Sequence, residues 1–371
     1  MKFSIERDEL LNSLVLVQGV VEKRNTMPIL SNLLLATEKD NKIRITATDL
    51  EIGLTSLFQA EITKPGKITI NAKNLMGIAK ELPSERIHFH LLGNNDVEIS
   101  CGKTLFKLHG LPAEDFPSLP EVDRNSSFSF PAEDLAFMID HTVFSVSTDE
   151  TRYNLSGVYL EKDDESTLRM VSSDGHRLSL VEKKGLLSKI QVPKNVIIPR
   201  KGIMEIRKIC SEVEGEIDLS LTKSNCLVQH GNTQLVIRLI DGEFPDYRQV
   251  LPSDKNQKTI YIDRQAFLSA LRRTSILSQE KTRGIRFQFE KDLLKVNVNN
   301  PDLGEAEETL EISYSHPPLE IGFNAKYFMD VLNLIQTDKV ELLLSDSMSQ
   351  ALLRPEGDSS FRSVVMPMKL L

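Results

Sequence analysis

Few residues able to do chemistry stand at the spacings that chemistry needs. His88 and His90 lie two apart in the alternating run Ile87–Leu91. Period two would put both imidazoles on one strand face, where they could begin a metal site. No third ligand at a zinc-type spacing accompanies them, so they read as solvated strand residues. Asp174-Gly175-His176 sets a carboxylate beside an imidazole. Residues i and i+2 seldom reach the geometry of a hydrolytic dyad, and no G-x-S-x-G nucleophile motif occurs. Asp-Gly is instead a common hairpin-turn signal. The chain also lacks a phosphate-binding P-loop, G-x-G-x-x-G, H-E-x-x-H and a paired C-x-x-C. Its three cysteines, Cys101, Cys210 and Cys226, are odd in number and widely spaced, as expected of reduced, buried thiols in a cytoplasmic protein. The expectation is a protein that is not an enzyme and holds no cofactor and no metal.

Composition agrees with a binding role. At 371 residues the chain is too long for one ordinary core and predicts two or three domains. Apolar residues make up 40% and charged residues 26%, normal for a globular protein, and no apolar run is long enough to span a membrane. Met1 leads directly into alternating Lys2-Phe3-Ser4-Ile5, with no basic-then-apolar leader. The net charge of −8 argues against nucleic-acid binding unless the basic residues are segregated.

The chain repeats three times. Lys67–Leu82 aligns without gaps on Asn195–Cys210 and on Glu320–Ile335. Each copy opens with two apolar residues at period two: Ile68/Ile70, Val196/Ile198 and Ile321/Phe323. That pattern is a strand with one buried face. Each continues with Lys73-x-Leu75-Met76, Lys201-x-Ile203-Met204 or Lys326-x-Phe328-Met329, followed by apolar residues at helical period. A second helix class recurs as Leu10-Leu11-x-x-Leu14, Leu135-Ala136-x-x-Ile139 and Phe267-Leu268-x-x-Leu271, each opened by acidic residues. The alternating strands at Ile87, Ile217 and Val340 complete the unit. The fold class is therefore α+β: three repeated domains, 1–124, 125–252 and 253–371, each two helices packed on antiparallel sheet.

Two such chains would supply a dozen helices, which at ~9 Å each could line an opening roughly 35 Å across. Duplex DNA, about 20 Å wide, would pass through. Charge is segregated in the sense this requires. The expected helices (6–21, 71–82, 131–147, 199–213, 263–279 and 324–337) carry no net charge, so the strands and loops hold the acidic excess. Contacts made by such a layer would be sequence-blind and salt-sensitive.

Several segments resemble the bacterial beta sliding clamps, the processivity subunit of DNA polymerase III. They are Met27–Leu35 (MPILSNLLL), Thr48–Glu51 (TDLE), Ser173–Leu178 (SDGHRL), Pro199–Gly202 (PRKG), Asp241–Pro252 (DGEFPDYRQVLP), Ile276–Gly284 (ILSQEKTRG), Asn299–Glu308 and the terminal VVMPMKLL. The likeness runs from Met1 to Leu371. It implies a head-to-tail homodimeric ring that encircles double-stranded DNA without reading its sequence and has no membrane association. It also implies a hydrophobic cleft for short linear peptides of the DNA polymerase III alpha subunit, the clamp loader, other DNA polymerases, mismatch-repair proteins and DNA ligase. A second reading is a repeat-built protein-interaction scaffold that does not bind DNA.

Matched motif by motif, the resemblance implies a cleft lined by Leu155, Ser173, Gly175, His176, Arg177, Leu178, Pro245, Val250, Val364, Val365, Met366, Pro367 and Met368. Asn324, Tyr327 and Met348 would lie at its edge. A methionine-rich terminal run suits several partners because its side chains are soft and adaptable. It could equally be a final edge strand. Arg24, Lys73, Arg152, Tyr153, Asn154, Arg200 and Lys201 would face DNA. The ring interface would join Phe106 and Leu108 to Ile276 and Leu277, with Lys103 and Lys107 approaching Glu305, Glu307 and Glu308. Three positions depart from the family pattern: Gln249 stands where Arg is frequent, Ser173 where Thr is usual, and Asn154 where some relatives carry Tyr.

Overall fold

The computed structural model describes all residues except 22–26, 121–126, 150, 164–166, 185–194, 253–257, 280–281 and 370–371. Arg24 and, apart from Pro252, the expected junctions at 122–126 and 252–257 thus lie outside the described residues. Two compact units are present. One holds Met1–Glu133 and Met204–Leu239; the other holds the described residues between Asp134 and Ile203 and those from Ile240 onward.

The first unit contains two sheets. Five strands run in the order Glu61–Lys64, Lys2–Glu6, Arg86–Leu91, Asp96–Cys101, Thr104–His109. Eight run in the order Phe128–Pro131, Glu216–Leu221, Asn225–His230, Thr233–Arg238, Ile52–Gln59, Lys42–Thr48, Asn32–Glu38, Lys67–Asn71. The second unit also has two. Eight strands run Asn195–Pro199, Gly157–Lys162, Leu168–Ser173, Arg177–Lys183, Phe361–Val365, Ala351–Pro355, Lys339–Leu344, Lys258–Asp263. Four run Gly304–Glu311, Leu293–Asn300, Gly284–Glu290, Leu319–Asn324. All pairings are antiparallel, so the sheets have alternating faces, one apolar and packed under helices.

The six helices among the described residues are α1 (Arg7–Val17), α2 (Ala72–Glu81), α3 (Ala132–Asp140), α4 (Arg200–Ser211), α5 (Arg264–Thr274) and α6 (Ala325–Leu332). All six expected helices form, and each is shorter than its pattern suggested. Side-chain caps set three starts: Asn71, Asp263 and Asn324 accept from the backbone N–H of Asn74, Ala266 and Lys326. Hydroxyls mark two of the ends. Thr142 Oγ donates to the Met138 carbonyl at 2.7 Å, and Thr274 Oγ to that of Ala270 at 2.8 Å. Such back-bonding competes with helix propagation, and both chains tighten into 3₁₀ turns at Val143–Ser145 and Ser275–Leu277.

In the first unit α1 packs on α2 and on the Lys42–Thr48 and Ile52–Gln59 strands, burying Leu10, Leu14, Val17, Leu75 and Ala79. In the second, α5 and α6 cover a phenylalanine cluster: the Phe287 ring lies 5.1 Å from Phe328 and 5.5 Å from Phe323. These rings contribute the bulk of that core. Cys101, Cys210 and Cys226 are buried thiols that no disulfide joins. Among the described residues no helix is long and apolar enough to cross a membrane.

Candidate peptide-binding cleft and sheet edges

The second unit carries a groove of about 160 Å³ lined by Leu155, Ser173, Gly175, Arg177, Leu178, Phe244, Pro245, Asp246, Tyr247, Val250, Val364 and Met366. Its floor follows from strand register. Arg177–Lys183 pairs with Phe361–Val365 so that Leu178 stands opposite Val364, and opposed residues share a face. Val364 and Val365 of the terminal run therefore belong to an interior strand of their sheet, not to the edge strand that was one reading of the sequence, and Met366–Lys369 continue beyond it.

The turn at one end is locked by its own side chains. Asp174 Oδ1 accepts from the N–H groups of His176 at 2.9 Å and Arg177 at 3.0 Å, and Gly175 takes φ +87°, which glycine tolerates without strain. Ser173 Oγ donates to the Arg177 carbonyl at 2.8 Å and accepts from Gly175 N–H at 3.1 Å. That work needs only a hydroxyl, which Ser173 supplies. Met366 N–H donates to the His176 carbonyl at 2.9 Å and ties the chain end to this turn.

Arg177 is 8% exposed and almost fully satisfied. Nε donates to Asp174 Oδ2 at 3.0 Å, Nη1 to Asp330 Oδ2 at 2.6 Å and Nη2 to the Phe144 carbonyl at 2.5 Å, while the guanidinium lies 4.5 Å from the Tyr327 ring centre. Burial, and then the charge of Asp174, pushes the Tyr327 hydroxyl above the usual phenol range.

Not every residue assigned to the cleft by motif lines this groove. Val365 is fully buried on the opposite face from Val364, as strand alternation requires. His176 is exposed and contributes its carbonyl. Asn324 caps α6, and Tyr327 supports Arg177 from beneath. Met348, Pro367 and Met368 line a separate recess of about 270 Å³ with Arg286 and Glu320, and Met348 is 75% exposed there. Sequence reasoning did not single out Phe244, Asp246 and Tyr247, although their motif was visible as FPDY. His88 and His90 project from the solvent face of their strand, and no cluster of three possible metal ligands occurs among the described residues.

The residues assigned to DNA contact are mostly accessible. Lys73 and Lys80 are exposed seven residues apart on α2, so they share a helix face. Arg152 and Tyr153 are exposed and Asn154 is half-buried; the Arg152 Nη1 donates to the Asp174 carbonyl at 3.1 Å, and Asn154 Nδ2 to the Glu243 carbonyl at 3.1 Å. Arg200 is exposed and Lys201 half-buried at the start of α4.

The residues assigned to a dimer interface lie on two outer sheet edges. Thr104–His109 ends the five-stranded sheet, with Lys103 just before it, Phe106 and Leu108 half-buried and Leu105 61% exposed. Lys107 Nζ pairs with Asp96 Oδ2 at 2.9 Å. Gly304–Glu311 ends the four-stranded sheet, flanked by Ile276 at 74% exposure and Leu277, half-buried. Glu305 and Glu307 are exposed, whereas Glu308 is already bound by Arg273. Exposed Leu105 and Leu303 were not anticipated.

An apolar, strand-floored groove beside a locked turn, on a chain built of three like sheet-and-helix repeats, defines a docking protein with open sheet edges. Three sequence families match in succession: the DNA polymerase III beta subunit N-terminal domain at residues 1–120, its central domain at 129–246 and its C-terminal domain at 248–369. The chain belongs to the DNA polymerase III beta subunit family, whose members are processivity factors and not catalytic subunits. It is 40% identical over 371 residues, all of both chains, to the beta sliding clamp of Pseudomonas putida. The crystal structure of the DNA polymerase III subunit beta from Pseudomonas aeruginosa superposes with a TM-score of 0.93 at 40% identity, covering all of both chains. The Bartonella birtlesii sliding clamp bound to griselimycin superposes at 0.95 and 36% identity, again over both full chains.

Proposed function

We propose that two copies of this chain close head to tail into a ring around duplex DNA, helices inward, and that short linear peptides of partner proteins dock in the Leu178–Val364 groove. Those partners are the DNA polymerase III alpha subunit, the clamp loader, other DNA polymerases, mismatch-repair proteins and DNA ligase. The protein acts in the cytoplasm, and its working domains are 1–124, 125–252 and 253–371.

One observation carries the ring: the way successive repeats pair. In the first unit Ile52–Gln59 of repeat one pairs with Thr233–Arg238 of repeat two. In the second unit the equivalent strand of repeat two, Arg177–Lys183, pairs with the equivalent strand of repeat three, Phe361–Val365. The next member of this series is Gly304–Glu311 of repeat three, and its counterpart in repeat one is Thr104–His109. Among the described residues both are edge strands, paired on one side only. A second copy supplies the missing partner to each, which removes exposed edges that folded proteins otherwise avoid.

The registers extend the same argument. Thr55 stands opposite Gln234, and Leu180 opposite Arg362. Following the ladders within each repeat, Glu307 corresponds to Thr55 and Leu180, and Leu105 to Gln234 and Arg362. Ring closure then sets Leu105 opposite Glu307, Phe106 opposite Ala306, and Lys107 opposite Glu305. The last pair is complementary in charge and fixes the alignment of the edges. The groove is also where griselimycin would dock on this chain.

The deciding experiment is retention on DNA. The assembled protein should stay on closed circular duplex and leave when the circle is cut. Free exchange from the intact circle would instead favour a scaffold that does not encircle DNA.

A further inference from the structure

Glu161 stands outside the groove yet holds one of its walls. That wall is Phe244–Val250, a loop with one 3₁₀ turn at Tyr247–Gln249. Its backbone bonds are local: Gln249 N–H to Asp246 O and Val250 N–H to Tyr247 O. Such a segment has little of its own to keep it in place. Side chains supply the anchorage, and they converge on one strand, Gly157–Lys162. Tyr247 Oη donates to Glu161 Oε2 at 2.7 Å, and Arg248 Nη2 donates to Glu161 Oε1 at 2.6 Å and to Oε2 at 2.8 Å. Two residues earlier on the same strand face, Tyr159 stacks on Phe244 with ring centres 4.9 Å apart.

We propose that Glu161 is a positioning residue of the groove: it fixes the Phe244–Val250 wall at the spacing a docked peptide needs and so sets partner affinity without touching the partner. The inference rests on the docking role proposed above. Tyr247 is 4% exposed and lines the groove, so wherever its hydroxyl is held determines where its ring lies. Burial and then the bond to Glu161 push that phenol far above its ordinary range, so the donor keeps its proton wherever the protein is folded. A wall held ready in the bound conformation spares the peptide the cost of ordering it. Gln350 Nε2, donating to the Val250 carbonyl at 3.0 Å, steadies the far end.

The test measures griselimycin affinity by calorimetry on the full-length protein and four variants. Glu161→Gln and Tyr247→Phe should each weaken binding about five- to ten-fold, and the double variant no more than the stronger single, because Tyr247→Phe removes one of the three bonds that Glu161→Gln already disturbs. Met366→Ala, which alters the groove surface itself, should also weaken binding. Glu182→Gln is the control. Glu182 is a similarly buried carboxylate on the Arg177–Lys183 strand of the same sheet, and it pairs with Arg169 and Arg362 rather than with the wall. It should lower the unfolding temperature and leave affinity alone. If Glu161→Gln and Tyr247→Phe bind within two-fold of the parent while Met366→Ala loses affinity, the positioning role is wrong and the groove stands. If Met366→Ala binds as the parent does, the groove is misplaced and the inference falls with it.

Discussion

Arg177 Nη1 and Asp330 Oδ2 meet at 2.6 Å, joining the turn at the groove to helix α6. The same Asp330 oxygen accepts from Lys326 Nζ at 2.6 Å. One carboxylate thus serves a buried guanidinium and a half-exposed ammonium.

The two bonds are unequal. Asp330→Ala removes one of three anchors from a cation that is 8% exposed, and should cost about 1–3 kcal/mol, short of the full cost of an uncompensated buried charge because Asp174 and the Phe144 carbonyl remain. Lys326→Ala breaks a bond whose cation is 45% exposed and should cost under about 0.5 kcal/mol. Urea unfolding of the two variants checks the order; equal losses would refute it.

Asp96 should give the protein a distinct acid limb. The Lys107 bond first, then that of His109, hold its carboxyl down to about 2. A carboxylate depressed in the folded state stabilises above its unfolded value, about 3.9, and that contribution disappears as pH falls through the folded value. The urea midpoint should therefore drop between about pH 4 and pH 2, and Asp96→Asn should be less stable at neutral pH with a flatter profile across that window. An unchanged profile in the variant would show that Asp96 does not set it.

Ring closure should depend on the two edges. Ile276→Ala with Leu277→Ala removes the apolar flank of one edge, and sedimentation at micromolar concentration should then report 41.9 kDa monomers. Glu305→Lys, which leaves the Lys107–Asp96 bond intact, should weaken the dimer by about 1 kcal/mol, roughly five-fold, with the effect fading in high salt. An unchanged dimer mass in the first variant, or an unchanged dimer affinity in the second, would place the interface elsewhere.

DNA contact should be electrostatic. Lys73→Ala and Arg200→Ala should each weaken binding alike for unrelated duplex sequences, and each should lower the slope of log affinity against log salt by about one. Lys326→Ala, whose ammonium is occupied by Asp330, should leave that slope unchanged. A sequence-dependent loss would mean base contact.

Much of this was legible in the residues, and the misses have a common cause. Val364 and Val365 look alike as neighbours in an apolar run, but one floors the groove and the other faces away, because strand pairing sets which member of an alternating pair points where. Glu308 reads as a free rim charge like Glu305, yet the fold brings Arg273 to it. Glu161 and Tyr247 are separated by 86 residues, and nothing local to either announces the other.

The amino-acid order alone established the triplication, the alternation of strands and helices, their apolar faces and the family motifs, because these are periodicities and spacings within tens of residues. It could not say which strand of one repeat would meet which strand of the next, and so could not show that Thr104–His109 and Gly304–Glu311 end their sheets. Pairing partners are chosen by long-range burial of whole faces, and only the folded chain makes that choice.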